Sequence, residues 1–432
     1  MPGHSLDPAR PAADRAAQTD PPTAGRWDDD GPTGTVSRRW APAGPVNRWS
    51  RRRAELSAAG VGVTDLTDTN PTHFGLGHPA VPEILARAAR ASRRYDPDPR
   101  GPRPARLALA QRYGGGPDDY WLTSSTSEAY GWLFALSADP GQQVAAPAPG
   151  YPLIEPLARH AGLTVQTYPS HYLHPYGWWL DRERFEAVAA QPHTGLVTVV
   201  SPGNPTGAYL DPAERQWVVE VCQRRRRPLI VDRVFAPHAL ERTQPDDPDD
   251  WGGQTGPVVW TLDGLSKLLC DPGLKLAWIR LSGPARLRSG LAQALDRVAD
   301  AFLPLASLTA AALPDLLALA DQQVAATRRR LATNLAQAQA ILTSDRIRLR
   351  RVEGGWIGLV DVSGMEAVDL AWELLERSRL AVHPGWFYDL AEPGSLALSL
   401  LPEPDRWADH GRSLRRALES VEEVADGVTY RP

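Results

Sequence analysis

Cysteine is almost absent from this chain. Its 432 residues hold two, Cys222 and Cys270. That is too few for a disulfide framework, and neither stands in the His/Cys spacing of a metal site. The expectation is therefore no metal and a reducing, cytoplasmic setting. Long apolar runs are missing too. None approaches the roughly 20 residues that a membrane-crossing helix needs, so no membrane partner is expected. Charge of one sign is not in excess: the net charge is −4, which leaves no basic footprint for nucleic acid. The densest basic run, Arg224 to Arg227, falls at the end of an expected helix, where cations meet the negative end of the helix dipole. Ser37-Arg38-Arg39 is not followed by the apolar stretch that an export signal requires.

What remains is ordinary globular composition, 42% hydrophobic and 23% charged, over a length that calls for more than one domain. Residues 1–45 are rich in Pro, Asp, Arg and Ala without periodicity and read as a disordered tail. Ordered sequence is expected from the helical pattern at Asn47–Ala59. Farther on, short apolar runs at Tyr120–Thr123, Gln143–Pro147, Thr164–Tyr168, Leu196–Val200 and Leu229–Val231 alternate with amphipathic segments. Strands buried on both faces and alternating with helices predict a mostly parallel α/β sheet flanked by helices. Ligands of such sheets bind at the strand C-termini. After Leu281 the pattern changes to a smaller α+β unit, with one long helix expected at Asp315–Leu342.

Five loops carry chemistry. Lys267 follows Ser266 just after the apolar run Val258–Leu262, and a second cation, Lys275, stands eight residues later. An amine condenses with an aldehyde, and a nearby cation can hold a phosphate; on this stretch alone an exposed turn lysine is the competing reading. Ser124-Ser125-Thr126-Ser127 opens a helix, so it offers caps and free N–H groups, which suit either a plain N-cap or an anion. Tyr151, in Pro149-Gly150-Tyr151-Pro152, could stack on a flat ring or pack beneath its turn. Ser201-Pro202-Gly203-Asn204-Pro205-Thr206-Gly207 is a rigid turn that holds the Asn204 amide beyond a strand. Asp232 ends a buried run, where a carboxylate is costly unless a donor or a cation meets it. A protonated ring nitrogen would be such a partner.

Taken together, Asn-Pro-x-Gly after one strand, Asp after the next, and Ser-Lys followed by a cation eight residues on resemble the class I/II aminotransferases, the fold-type I enzymes that use pyridoxal 5′-phosphate (PLP). The resemblance runs from Asp65 to the last helix. It implies a large PLP-binding domain at 81–305 and a small domain formed by 306–432 with help from 46–80. It implies that Lys267 carries the cofactor as a Schiff base and moves the proton. Asp232 would pair with the ring nitrogen, Asn204 would bond the ring O3′, and Tyr151 would stack on the ring. Ser125, Thr126, Ser127, Ser266 and Lys275 would complete the cofactor site around the phosphate. Tyr95 matches a tyrosine lent to the partner subunit's phosphate site, which implies a homodimer. Asn70 lies in a loop that closes over the substrate. The implied activity moves an amino group from a small-molecule donor to an oxo acceptor by a ping-pong exchange. A β-lyase or decarboxylase on the same fold is an alternative, and a non-catalytic regulatory module a more distant one.

Four positions depart from that pattern. Phe235 replaces a tyrosine and cannot donate to O3′. Lys275 replaces an arginine and loses its bidentate fork. Gly264 replaces a serine near the phosphate. Ala397 stands where an arginine grips the substrate carboxylate. His73, His383 and the Arg48/Arg51 region are the candidates to replace it.

Overall fold

The computed structural model describes residues 37–40, 46–241, 251, 253–390 and 392–421. Apart from residues 37–40, the expected disordered tail lies outside them. Val46–Pro432 clusters as one unit whose described residues form an eight-stranded sheet, a four-stranded sheet and a two-stranded pair.

The large sheet consists of β1 (Tyr120–Thr123), β2 (Gln143–Ala148), β3 (Thr164–Leu173), β4 (Gly177–Leu180), β5 (Thr194–Val200), β6 (Leu229–Asp232), β7 (Val259–Gly264) and β8 (Ala277–Ser282). Their spatial order is β1-β8-β7-β6-β5-β2-β3-β4. The run from β7 to β3 is parallel. β8 is antiparallel to both of its neighbours, and β4 is antiparallel to β3. Every residue of β6 and β7 is buried, which explains their nearly unbroken apolar sequence. β6 sends Ile230 to one core, with Trp121, Phe134, Leu196 and Trp260. It sends Leu229 and Val231 to the other, with Phe185, Val197 and Val219. That is the period-two alternation of a strand.

The small sheet consists of β9 (Ile347–Leu349), β10 (Ile357–Val362), β11 (His383–Pro384) and β12 (Ser395–Ser399), antiparallel in the order β9-β10-β12-β11. Its core takes Leu331 and Leu335 from the helix Ala320–Ile341 and Leu370 and Leu374 from Ala367–Ser378. It also takes Trp49 and Leu56 from the helix Arg48–Ala58. Asn47 caps that helix by accepting the Ser50 N–H at 2.8 Å. Thr64–Asp65 pairs in parallel with Leu380–Ala381, a second tie between the two ends of the unit.

Two elements differ from the sequence reading. The expected strand Thr164–Tyr168 continues to Leu173 and pairs with β4 as a hairpin. Its outer half, residues 169–173, is mostly polar and partly exposed, so no apolar run marks it. The expected helix Asp315–Leu342 is instead two helices, Ser307–Ala318 and Ala320–Ile341, meeting at Leu319. The reason is that they serve different cores. Leu313 and Leu316 pack with Leu109, Tyr120 and Leu122 beside the large sheet, whereas Leu331 and Leu335 pack behind the small one.

Candidate active site

The strands β1, β5, β6 and β7 run in the same direction, so the residues that follow them gather at one edge of the sheet. There they surround a cleft of about 300 Å³. Ser125, Thr126, Ser127, Tyr151, Asn204, Asp232, Ser266, Lys267 and Lys275 all line it. Positions spread over 150 residues of sequence are brought together by the parallel topology.

The helix Thr126–Ser137 begins at the cleft. Ser125 Oγ accepts the Glu128 N–H at 3.2 Å, and Glu128 reaches back to the Ser124 N–H and hydroxyl at 2.8 Å each. These contacts fix the first turn so that its orphan N–H groups face the cleft wall. Lys275 lines the same cleft from the end of the turn Pro272–Leu274, where it adopts a left-handed backbone with φ 48°.

Asp232 is the last residue of β6 and is buried. Its Oδ1 accepts the Val234 N–H and its Oδ2 the Tyr130 hydroxyl, both at 3.1 Å. Burial nevertheless pushes its carboxyl up to about 6, against those two donors and Lys267, which hold it down. Asn204 projects from the turn after β5. The turn is closed by the Gly203 N–H to Ala208 carbonyl bond, 2.8 Å. A Cβ on Gly203 would come within 2.3 Å of Thr206 Oγ1, so a side chain there would displace that hydroxyl. Asn204 Oδ1 is buried without a hydrogen-bond partner.

Lys267 lies in the short helix Leu265–Leu268, one residue beyond the buried end of β7. Its Nζ stands 4.7 Å from the Trp356 ring centre and 5.3 Å from that of Phe235. Burial lowers the ammonium pKa, while Cys270 and Asp232 act to raise it. The net effect is a lowered pKa, which makes the nucleophilic amine more accessible than in a solvated lysine. The backbone is pinned by His238, whose Nε2 is 3.0 Å from the Lys267 carbonyl. A carbonyl only accepts, so Nε2 carries the proton. Burial holds the imidazole down at about 4 and hence neutral.

Tyr95 and Asn70 do not line this cleft. Tyr95 is 71% exposed and faces a groove with Leu303, Pro304 and Leu305. The Asn70 side chain caps the turn Pro71–Phe74, accepting the Thr72 N–H at 3.1 Å; its neighbour Thr69 lines the cleft instead. The proposed replacements for the missing arginine are also elsewhere. His73 is bound to Asp68 at 2.6 Å, Arg48 lies over Trp372, and Arg51 bonds the Val46 carbonyl. His383 Nδ1 is 2.9 Å from the Tyr388 hydroxyl. Sequence reasoning missed Tyr130, His238 and Trp356. Tyr130 could have been found, since it is one helical turn beyond Thr126 and so shares its face. No sequence signal marks the other two.

The residues present fit PLP. A fully buried carboxylate with a raised pKa lacks only a cationic N–H. An amide oxygen is orphaned beside it. A helix N-terminus and a lysine offer an anion site on the same wall. A fold of this kind with such a site defines a fold-type I PLP-dependent enzyme. The profile of class I and II aminotransferases matches residues 65–405, and the chain belongs to that family. Among curated relatives, an alanine aminotransferase of Mycobacterium tuberculosis is 27% identical over 83% of this chain and 79% of its own length. A probable aminotransferase of Arabidopsis thaliana is 27% identical over 55% of each chain. An S-alkyl-thiohydroximate lyase of the same plant is 29% identical over 50% of this chain and 46% of its own. Among solved structures, an alanine aminotransferase of Pyrococcus furiosus shares the fold at a TM-score of 0.79, with 20% identity over 89% of this chain and all of that one. A double mutant of the aspartate aminotransferase of Thermus thermophilus superposes with a TM-score of 0.74, at 24% identity over 88% and 99% of the two chains. The chain is an enzyme of the aminotransferase type, and no helix among the described residues is long and apolar enough to cross a membrane.

Proposed function

We propose that the protein transfers an amino group from a small-molecule donor to an oxo acid or aldehyde by a ping-pong exchange. The observation that carries this is the buried Lys267 amine sharing one cleft with Asp232, Asn204 and the Ser125–Ser127 helix start. PLP supplies an electron-withdrawing ring and an aldehyde that accepts the amino group.

The chain's own residues do the rest. Lys267 Nζ, whose pKa is lowered by burial, would hold the cofactor covalently. Once freed by the donor, it would be the base that moves the proton of the amine-bearing carbon. Asp232 would pair with the ring nitrogen and favour its protonated form. Tyr130 and the Val234 N–H orient that carboxylate. Asn204 would bond the ring hydroxyl oxygen without help from position 235, since Phe235 has no donor. Thr126, Ser127 and Lys275 would anchor the phosphate, with Ser125 and Ser266 beside them. Tyr151, half-exposed at the cleft, covers the ring. The exposed Tyr95 and its groove suit a homodimer in which each subunit completes its partner's phosphate site.

A second reading, an elimination on the same scaffold, is favoured by the lyase among the relatives. Single-turnover absorbance separates the two. Transamination predicts stoichiometric conversion of the cofactor to its pyridoxamine form with release of an oxo product; donor consumption without that form would rule it out. Borohydride reduction should place the cofactor on Lys267, and a label on any other lysine overturns the assignment.

A further inference from the structure

The cleft is electrically lopsided. Among the described residues, the charged groups that line it are Asp232, Lys267 and Lys275, and no arginine or histidine does. On the proposed reading, which this inference rests on, all three are engaged by the cofactor. Thr69 aside, much of the remaining wall is apolar, with Leu153, Ile154, Leu157, Trp356 and Ile357.

What stands behind that wall is equally apolar. Ile357 opens β10 and packs on a cluster of Leu359, Tyr388, Leu390 and Ala397. Ala397 is opposite Leu359 on one side and His383 on the other, and it is 2% exposed. Three arginines and a histidine in this part of the fold are engaged within the protein. Arg350 is bound by Asp361 and Ser395 at 2.8 and 2.9 Å. Arg330 bonds the Phe74 carbonyl at 3.1 Å and pairs with Glu403. Arg53 pairs with Asp65. His383 is held neutral by burial, down at about 4. Among the described residues of one chain, a carboxylate entering the cleft would be desolvated with no lining cation beyond the two engaged lysines to meet it, whereas an apolar substituent would gain by burial.

We infer that the amino donor is a primary amine with an apolar or aromatic substituent and no carboxylate on the amine-bearing carbon. Atoms balance without an outside oxidant. The donor carbon loses its amino group and one hydrogen and gains an oxygen, becoming an aldehyde or ketone. The cofactor's aldehyde loses its oxygen and gains that amino group and hydrogen.

Matched pairs test this on the holoenzyme: phenethylamine against phenylalanine, and isoamylamine against leucine, each read as the half-reaction in the cofactor band. The expected kcat/KM favours the amine by about tenfold or more, the effect of an unpaired buried carboxylate. A smaller ratio, or a preference for the amino acid such as a partner subunit's cation would produce, overturns the inference while leaving transamination intact. Failure of every donor to yield the pyridoxamine form overturns both. A readout free of turnover comes from non-reacting ligands. Hydrocinnamamide should perturb the cofactor spectrum at lower concentration than hydrocinnamate, and the reverse order overturns the inference. Ile357→Ala should raise the KM for phenethylamine by roughly tenfold through lost apolar contact, with the borohydride label on Lys267 retained; an unchanged KM overturns the placement of the substituent on this wall.

Discussion

Asp232 and Lys267 perturb each other in opposite directions, and the pH dependence of the cofactor-free protein follows. The carboxyl rises from 3.8 to about 6 on folding. The folded state therefore holds a proton that the unfolded chain has released. Stability from this group is fully present below pH 3.8 and is lost as pH rises through about 6. The shift corresponds to roughly 3 kcal/mol. Asp263, raised to about 7 by burial, adds to the same slope. Urea midpoints of the apoprotein should fall between these pH values, and Asp232→Asn should flatten the fall. Saturating PLP should flatten it too, because a cationic ring nitrogen favours the carboxylate. Tyr130→Phe removes a donor from Oδ2, so cofactor affinity should drop by roughly tenfold, the worth of one hydrogen bond to a charged group, in an equilibrium titration. The positions of Lys267, Asp232 and Asn204 at the cleft were legible in the sequence because each stands at or just beyond a strand end within a specific local pattern. His238 and Trp356 were not. They reach Lys267 from 29 residues upstream and from beyond the last large-sheet strand, and only the folded chain sets them beside it.

Among the elements, the β7–β8 pair explains one of the departures. Gly264 is opposite Ala277 in the ladder. A Cβ at Gly264 would stand 2.9 Å from Ala277 Cβ and 3.1 Å from its Cα. A serine there cannot be accommodated without moving the strand that begins just after Lys275. Gly264→Ser should cost about 1–3 kcal/mol of overpacking strain by urea denaturation, and pairing it with Ala277→Gly should recover much of the loss. The same scale shows where periodicity failed. The β3–β4 hairpin is half-exposed and carries no apolar alternation. The two helices that meet at Leu319 read as one because both are continuously helical in pattern, while the change of core that separates them is a tertiary fact.

For the molecule as a whole, the order of strands converts distance in sequence into proximity. The α/β class was readable because buried parallel strands leave apolar runs. The antiparallel placement of β8, and the packing of the helix Arg48–Ala58 against the C-terminal sheet, left no such trace. That packing carries a prediction. Trp49 and Leu56 belong to the core of the small sheet, so a chain beginning at Val46 should melt as cooperatively as the full chain. Deletion through residue 60 should instead strip apolar surface from that core and lower the melting temperature by several degrees, the consequence of about 2–5 kcal/mol of lost burial.

The aromatic flank of Lys267 also makes the site observable by light. Trp356 is buried, with its ring centre 4.7 Å from the amine that would carry PLP. A chromophore attached there lies within contact range of an indole, so excitation of that tryptophan should pass to the cofactor instead of being emitted. Loading with PLP should quench the intrinsic fluorescence, and Trp356→Phe should reduce the quench without abolishing the yellow colour. The chain thus carries its own gauge of cofactor occupancy, one that reports binding before any substrate is found.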